Sequence, residues 1–196
     1  MCGICGELRF DGAPADLGAV DRMMDQIQRR GLDHGGSWSD VSLGLGHRRL
    51  SIIDLSIRAN QPMVDPELGL ALVFNGAIYN YRELRQDLVA KGYRFFSEGD
   101  TEVILKAWHA WGEGCCERLH GMFAFGLWDM HRRVLFLARD RFGVKPLYWT
   151  RDHRRLRFAS STQALLAAEG VDTAIDPVAL HHLFSLHAVV PAPRTV

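Results

Sequence analysis

The sequence predicts an α+β fold in which two mainly antiparallel sheets are stacked and covered by helices. The element order is the first reason: strands, two central helices, strands again, then helices, without the regular strand–helix alternation that builds a parallel sheet. The second is a pair of apolar hairpin patterns, Met122 to Asp129 with Val134 to Arg139, and Leu147 to Trp149 with Leu156 to Ala159. The third is bulk composition, 196 residues with 47% hydrophobic and 23% charged side chains, which suits one well-buried domain and leaves no room for two of ordinary size.

Taken in order, Ile4 to Phe10 reads as a strand closed by the turn signal Asp11-Gly12. Leu17, Val20, Met23, Met24 and Ile27 then recur at helical spacing behind Asp16 as N-cap. Arg30 to Ser39 is rich in glycine and is expected to be an irregular loop, and short apolar runs from Val41 to Leu55 are expected to be strands. Leu70 to Phe74 is a further strand, stopped by Asn75-Gly76. Helices are expected from Tyr81 to about Ala90 and from Asp100 to about Trp111, with Asp100 as the expected N-cap. The hairpins follow, and helical patterns at 161–168 and 177–187 close the chain. The end, Val190 to Val196, has linker composition.

Charge narrows the partners. Lysine plus arginine and aspartate plus glutamate both number 23, so no global field draws the protein to nucleic acid or to an anionic membrane, and a small polar ligand is expected. No apolar run approaches the roughly 18 residues that span a bilayer. Glu7, Arg9 and Asp11 fall where a signal peptide would need an apolar core, so a cytoplasmic protein is expected. The four cysteines are Cys2, Cys5, Cys115 and Cys116. A zinc site would need a second spaced pair, which the adjacent Cys115 and Cys116 do not supply, and no metal site is expected.

Four segments could carry chemistry. Cys2 has three competing readings: half of a metal or redox pair with Cys5, a small residue opening a strand, or a nucleophile exposed by removal of Met1. In the last case a thiol of pKa ~8.5 and an α-amine of pKa ~7.7–8.0 share one residue, and the amine can take the thiol proton. Asn75-Gly76 follows a strand too apolar for the surface; its amide and the next N–H can converge on an oxyanion, or it is a simple turn. Arg48 and Arg49 precede an apolar run, where one could fork a carboxylate or both could be surface charge. Asp100 could receive an ammonium or merely cap a helix.

MCGICGELRF, RRLSIIDLS, QPM at 61–63, VFNGAIYNYREL, GDTEVILKAW, LHGMFAFGLWD and LARDRFGVKPLYW follow one another in the chain. In this order they resemble the glutaminase domain of the asparagine synthetase family, the class II glutamine amidotransferases of the N-terminal-nucleophile hydrolase fold. The resemblance covers essentially the whole chain. It implies an αββα sandwich, with residues 1–190 forming the glutaminase domain and 191–196 starting the linker to an ATP-dependent synthetase domain. It further implies that Cys2 attacks the glutamine side-chain amide through a γ-glutamyl thioester, with Asn75 and Gly76 holding the oxyanion. Arg49 would clamp the α-carboxylate, leaving Arg48 without a catalytic role; Leu50, Ser51, Ile52, Ile53 and Ala77 would line the pocket, and Asp100 would take the α-ammonium.

No cofactor is implied for this domain; ATP and magnesium belong to the synthetase domain. Glutamine and that domain are the implied partners, and a homodimer is among the assemblies open to it. The chain is therefore expected to be a fragment with glutaminase activity only. The same half-reaction feeding a dipeptide-amidating or another class II enzyme is the alternative, and a non-catalytic glutamine-binding module is the reading from a different class. Three departures stand out: Leu32 replaces a proline in Arg30-Gly-Leu-Asp33, Ala77 replaces a glutamate after Asn75-Gly76, and Ser161 replaces the glutamate that ends the family's FASE-type segment.

Overall fold

A computed structural model describes residues 2–186. The expected linker at 191–196, and His187 at the end of the last expected helix, lie outside the described residues. The strands are β1 (Gly3–Arg9), β2 (His34–Asp40), β3 (Leu43–Arg49), β4 (Met63–Asp65), β5 (Leu70–Ile78), β6 (Gly121–Asp129), β7 (Val134–Arg139), β8 (Tyr148–Arg151) and β9 (Arg155–Ala159). The helices are α1 (Leu17–Gln26), α2 (Tyr81–Ala90), α3 (Asp100–Trp111), α4 (Cys115–Arg118), α5 (Thr162–Ala167) and α6 (Pro177–Ser185).

The strands form two antiparallel sheets, ordered β2-β3-β1-β9-β8 and β4-β5-β6-β7. Side-chain alternation along each strand builds the layers. Ile4, Leu43, Leu45, Ala71, Val73, Ala124, Trp128 and Phe158 face one another between the sheets. On the outer face of the first sheet, Cys5 and Ala159 pack with Val20 and Met23 of α1 and with Ala164 and Leu165 of α5. On the outer face of the second, Leu72, Phe74 and Phe125 pack with Leu84 and Leu88 of α2 and with Val103 and Ile104 of α3. The outcome is the expected sandwich of two sheets between helices.

Two contacts set the sheet separation. The Phe158 ring lies where a Cβ on Gly6 would come within 2.5 Å and one on Gly126 within 2.8 Å, so each sheet presents a glycine to the same ring. Trp128 Nε1 donates to Asp40 Oδ2 across the layers at 2.7 Å. On the outer side, Glu7 is fully buried beside Arg157, with Nε to Oε2 at 2.6 Å, and also accepts the Asp16 N–H at 2.9 Å. That arrangement ties β1, β9 and the start of α1, whose N-cap Asp16 accepts the Ala19 N–H at 2.9 Å.

Several expectations need correction. His34 to Asp40 is an edge strand, not an irregular loop: its glycines pair with β3 across the full register, and its exposure alternates. The strand after Val41 ends at Arg49, and 50–62 is irregular apart from a 3₁₀ turn at Ile57–Ala59. Ile52, Leu55 and Ile57 there are exposed rather than packed. Asn75-Gly76 does not stop a strand; β5 runs through to Ile78, paired with β6. Gly99, not Asp100, occupies the N-cap position of α3, and Asp100 is its first helical residue.

Candidate active site

Cys2 and Cys5 are three residues apart, and an odd spacing on a strand sends two side chains to opposite faces. Cys5 therefore points into the α1–α5 layer, where burial pushes its thiol well above the ordinary range. Cys2, just before β1, is on the face toward the second sheet. The same parity separates the arginines. Arg49 faces the inter-sheet space, while Arg48 reaches outward to Met24 O at 3.3 Å and Asp25 at 3.2 Å.

Continuing the pairing Gly3↔Arg48 by one step sets Arg49 opposite Cys2, with Leu50 next along the chain. The Leu50 N–H donates to Cys2 Sγ at 3.4 Å, and the thiol lies 3.6 Å from Leu50 O. Arg30 Nε donates to Cys2 O at 3.1 Å, and Asp33 Oδ2 accepts the Ser51 N–H at 2.7 Å. These contacts order the Arg30–Asp33 loop without a proline, and Leu32 at its tip is exposed.

Opposite Cys2 runs the free edge of β5. β4 pairs only with Leu70 to Leu72, so beyond that point the N–H groups of alternate residues leave the sheet edge. Phe74 N–H goes to Gln61 Oε1 at 2.6 Å, and Ile78 N–H to Asp100 Oδ2 at 2.9 Å. Gly76 N–H, pointing the same way, is bracketed between them. A Cβ at Gly76 would lie 2.3 Å from Met122 O, so only glycine lets β5 and β6 pair this closely here. Next to it, the Asn75 side chain faces the inter-sheet space with Nδ2 buried and without a hydrogen-bond partner. An unpartnered amide donor and a backbone N–H on the wall of one cavity are the kind of donors an oxyanion requires.

The Arg49 guanidinium donates to Asn60 Oδ1 at 2.6 Å, to Ser56 O at 2.9 Å and to Asp54 O, so it ties the 50–60 loop. Asp54 accepts the N–H groups of Ser56 and Glu98, both at 2.8 Å, and so joins this loop to the approach to α3. Burial works against the Asp54 carboxylate, but those hydrogen bonds and Arg49 hold it below the ordinary range. Glu102, fully buried, fixes the same approach by accepting Ser97 N–H at 2.7 Å and Phe96 N–H at 3.0 Å. Asp100 is 5% exposed. Burial raises its carboxyl to about 6, against the pull of the N–H groups of Ile78, Asp100 and Thr101.

Cys2, Arg49, Leu50, Ile52, Ile53, Asn75, Gly76, Ala77 and Asp100 line one cavity of about 220 Å³. Of the expected site residues only Ser51 is absent from its walls. The cavity also has walls that the sequence did not announce: Gln61, Thr101, Met122 and Lys145. Gln61 lies in the QPM segment, a signal that was visible without a role attached. Among the described residues no group of three His, Cys, Asp or Glu side chains is arranged to hold a metal, and no helix is long and apolar enough to cross a membrane.

Residues 1–196 match the glutamine amidotransferase domain family. The chain belongs to this family. Glutamine amidotransferase relatives include Asparagine synthetase [glutamine-hydrolyzing] 1 of Bacillus subtilis, 41% identical over 201 residues, covering 100% of this chain and 31% of the relative. Asparagine synthetase [glutamine-hydrolyzing] 3 of the same organism is 36% identical over 189 residues, covering 95% of this chain and 31% of the relative. This glutamine amidotransferase domain therefore spans about a third of the length of the curated relatives it matches. Among solved structures, glutamine phosphoribosylpyrophosphate amidotransferase from B. subtilis superposes with a TM-score of 0.72 at 20% identity, covering 87% of this chain and 44% of that one. That likeness gives the domain the N-terminal-nucleophile hydrolase fold.

Proposed function

We propose that the domain hydrolyses glutamine to glutamate and ammonia, with Cys2 as nucleophile. The observation that carries this reading is the shared cavity of the Cys2 thiol, the unpartnered Asn75 amide and the Gly76 N–H. Once Met1 is removed, the Cys2 α-amine takes the thiol proton, directly or through a water. The sulfur attacks the glutamine Cδ, and the oxyanion is held by Asn75 Nδ2 and Gly76 N–H. Collapse breaks the C–N bond, the ammonium on Cys2 returns its proton to the leaving nitrogen, and a γ-glutamyl thioester remains. Water activated by the same amine then releases glutamate.

The other cavity walls suit the amino-acid end of the substrate. Asp100 supplies a carboxylate for the α-ammonium. Arg49 has five N–H donors, enough to tie the 50–60 loop and still present a hydrogen to the α-carboxylate. The ammonia is proposed to serve an ATP-dependent, asparagine-synthetase-like amidation in a further domain, which would carry the ATP and magnesium. The four free thiols suit a reducing cytoplasm.

The test is direct. Purified protein should show loss of Met1 by intact mass, labelling of Cys2 by a thiol reagent, and glutamate release that Cys2→Ala abolishes without unfolding. Cys2→Ala turnover within about tenfold of wild type, only ~1.4 kcal/mol of barrier, would refute the assignment.

A further inference from the structure

His47 is fully buried on β3, facing the second sheet, and takes no part in the chemistry above. Its Nε2 lies 3.1 Å from Phe74 O, on the neighbouring sheet. A carbonyl only accepts, so Nε2 carries the hydrogen, and Nδ1 is left as a buried lone pair without a protein partner. The ring is held neutral, its pKa pushed down to about 3, chiefly by burial and then by Arg49 and His34, against the pull of Phe74 O.

Phe74 is the residue before Asn75, at the edge that β4 has ceased to cover. Both its backbone groups are taken by side chains: the N–H by Gln61 at 2.6 Å and the oxygen by His47 at 3.1 Å. Gln61 Nε2 in turn reaches Thr101 Oγ1 at 3.4 Å. The peptide that joins Phe74 to Asn75 is thus fixed from the sheet that carries Cys2, by a residue two positions before Arg49.

We infer that His47 and Gln61 are positioning residues, a clamp on Phe74 that aims the Asn75 amide and the Gly76 N–H at the point where Cys2 places an oxyanion. The inference rests on the proposed glutaminase reading. A donor misaimed by a few tenths of an ångström affects a charge that exists only in the transition state, so its loss lowers kcat and leaves KM in place.

The side-chain geometry of asparagine and glutamine supplies the test. A glutamine amide nitrogen reaches about as far as histidine Nε2, whereas an asparagine nitrogen reaches only as far as Nδ1. His47→Asn should lower kcat for glutamine hydrolysis at least tenfold with KM within about twofold, and His47→Gln should recover kcat to within about threefold of wild type. Gln61→Met, which keeps volume but loses the acceptor, should show the same split as His47→Asn. Equal turnover of the two His47 variants, or a change in KM alone, would overturn the clamp. Should His47→Asn not fold, nitrogen chemical shifts of wild-type His47 decide: a neutral ring protonated on Nε2 is required, and one protonated on Nδ1 refutes it. Wild-type protein that releases no glutamate would bring down the glutaminase reading and this inference together, whereas an active wild type with indifferent variants would remove the clamp alone.

Discussion

The Asp100 carboxylate holds the backbone N–H of Ile78 at 2.9 Å, so the proposed ammonium acceptor is also a fastener of the β5 edge. Its carboxyl, raised by burial to about 6 from an ordinary 3.8, makes both roles pH-dependent. Only the ionised form attracts an ammonium, so the KM for glutamine should rise as pH falls through about 6. Asp100→Asn should show a higher KM with a flatter pH profile, since the amide oxygen still accepts from Ile78. Initial-rate measurements from pH 5 to 8 check this.

Stability should move in the opposite sense. Between pH 3.8 and about 6 the folded domain keeps a proton that the unfolded chain has released, so this group's contribution is best below that window and worsens as pH rises through it. Denaturant midpoints should therefore place Asp100→Asn above wild type at pH 7 and bring the two together at pH 4.

Asn75→Ala should separate activity from stability. Losing one oxyanion donor reduces kcat by about 10²–10³, yet the nitrogen removed has no partner in the protein. The melting temperature should stay within a few degrees of wild type. A large fall in melting temperature would mean that the amide serves the fold.

Gly76→Ala should fail as a fold before it fails as a catalyst. The added Cβ meets Met122 O at 2.3 Å and Phe123 Cα at 2.8 Å. Both are backbone atoms of β6, so β5 and β6 must part, at about 1–3 kcal/mol or more. Thermal melts alongside glutaminase assays should show both properties falling together.

The buried Glu7–Arg157 pair predicts a large single-mutant cost. Glu7→Gln takes the nearer carboxylate from a guanidinium that is 2% exposed and leaves it only the half-exposed Asp16 at 3.9 Å, and breaking such pairs costs about 3–5 kcal/mol. Replacing both by apolar residues, Glu7→Leu with Arg157→Met, should be milder than Glu7→Gln alone. Chemical denaturation of the three proteins tests the order.

Long periodic segments were legible in the sequence: α1 with its Asp16 cap, α2, and the hairpins that became β6–β7 and β8–β9. β2 was hidden because Gly35 and Gly36 read as loop signals, although the pairing of His34 with Arg49 is regular. Ile52, Ile53 and Leu55 misled in the opposite sense, since apolar residues that wall a cavity or face outward mimic a strand. Asn75-Gly76 carried a turn signal, and the tertiary approach of Met122 overrode it. Residue types made Cys2, Asn75, the Arg48–Arg49 pair and Asp100 candidates, and the family resemblance chose Arg49 and a role for each. Gln61 and His47 were not, because their work is to hold the Phe74 backbone, and no local pattern encodes a contact across two sheets. The opposite faces of Cys2 and Cys5 could have been read from their odd spacing alone.

Asn75 lies inside a nine-residue ladder between β5 and β6, whereas Cys2 precedes the first residue of β1. The two halves of the proposed reaction therefore rest on parts of the molecule with unequal opening free energies. Cys2 is held by contacts from Arg30 and Leu50 rather than by a ladder, so its end is expected to open before the oxyanion donors do. Warming should silence the enzyme well below its melting point, and cooling should restore it.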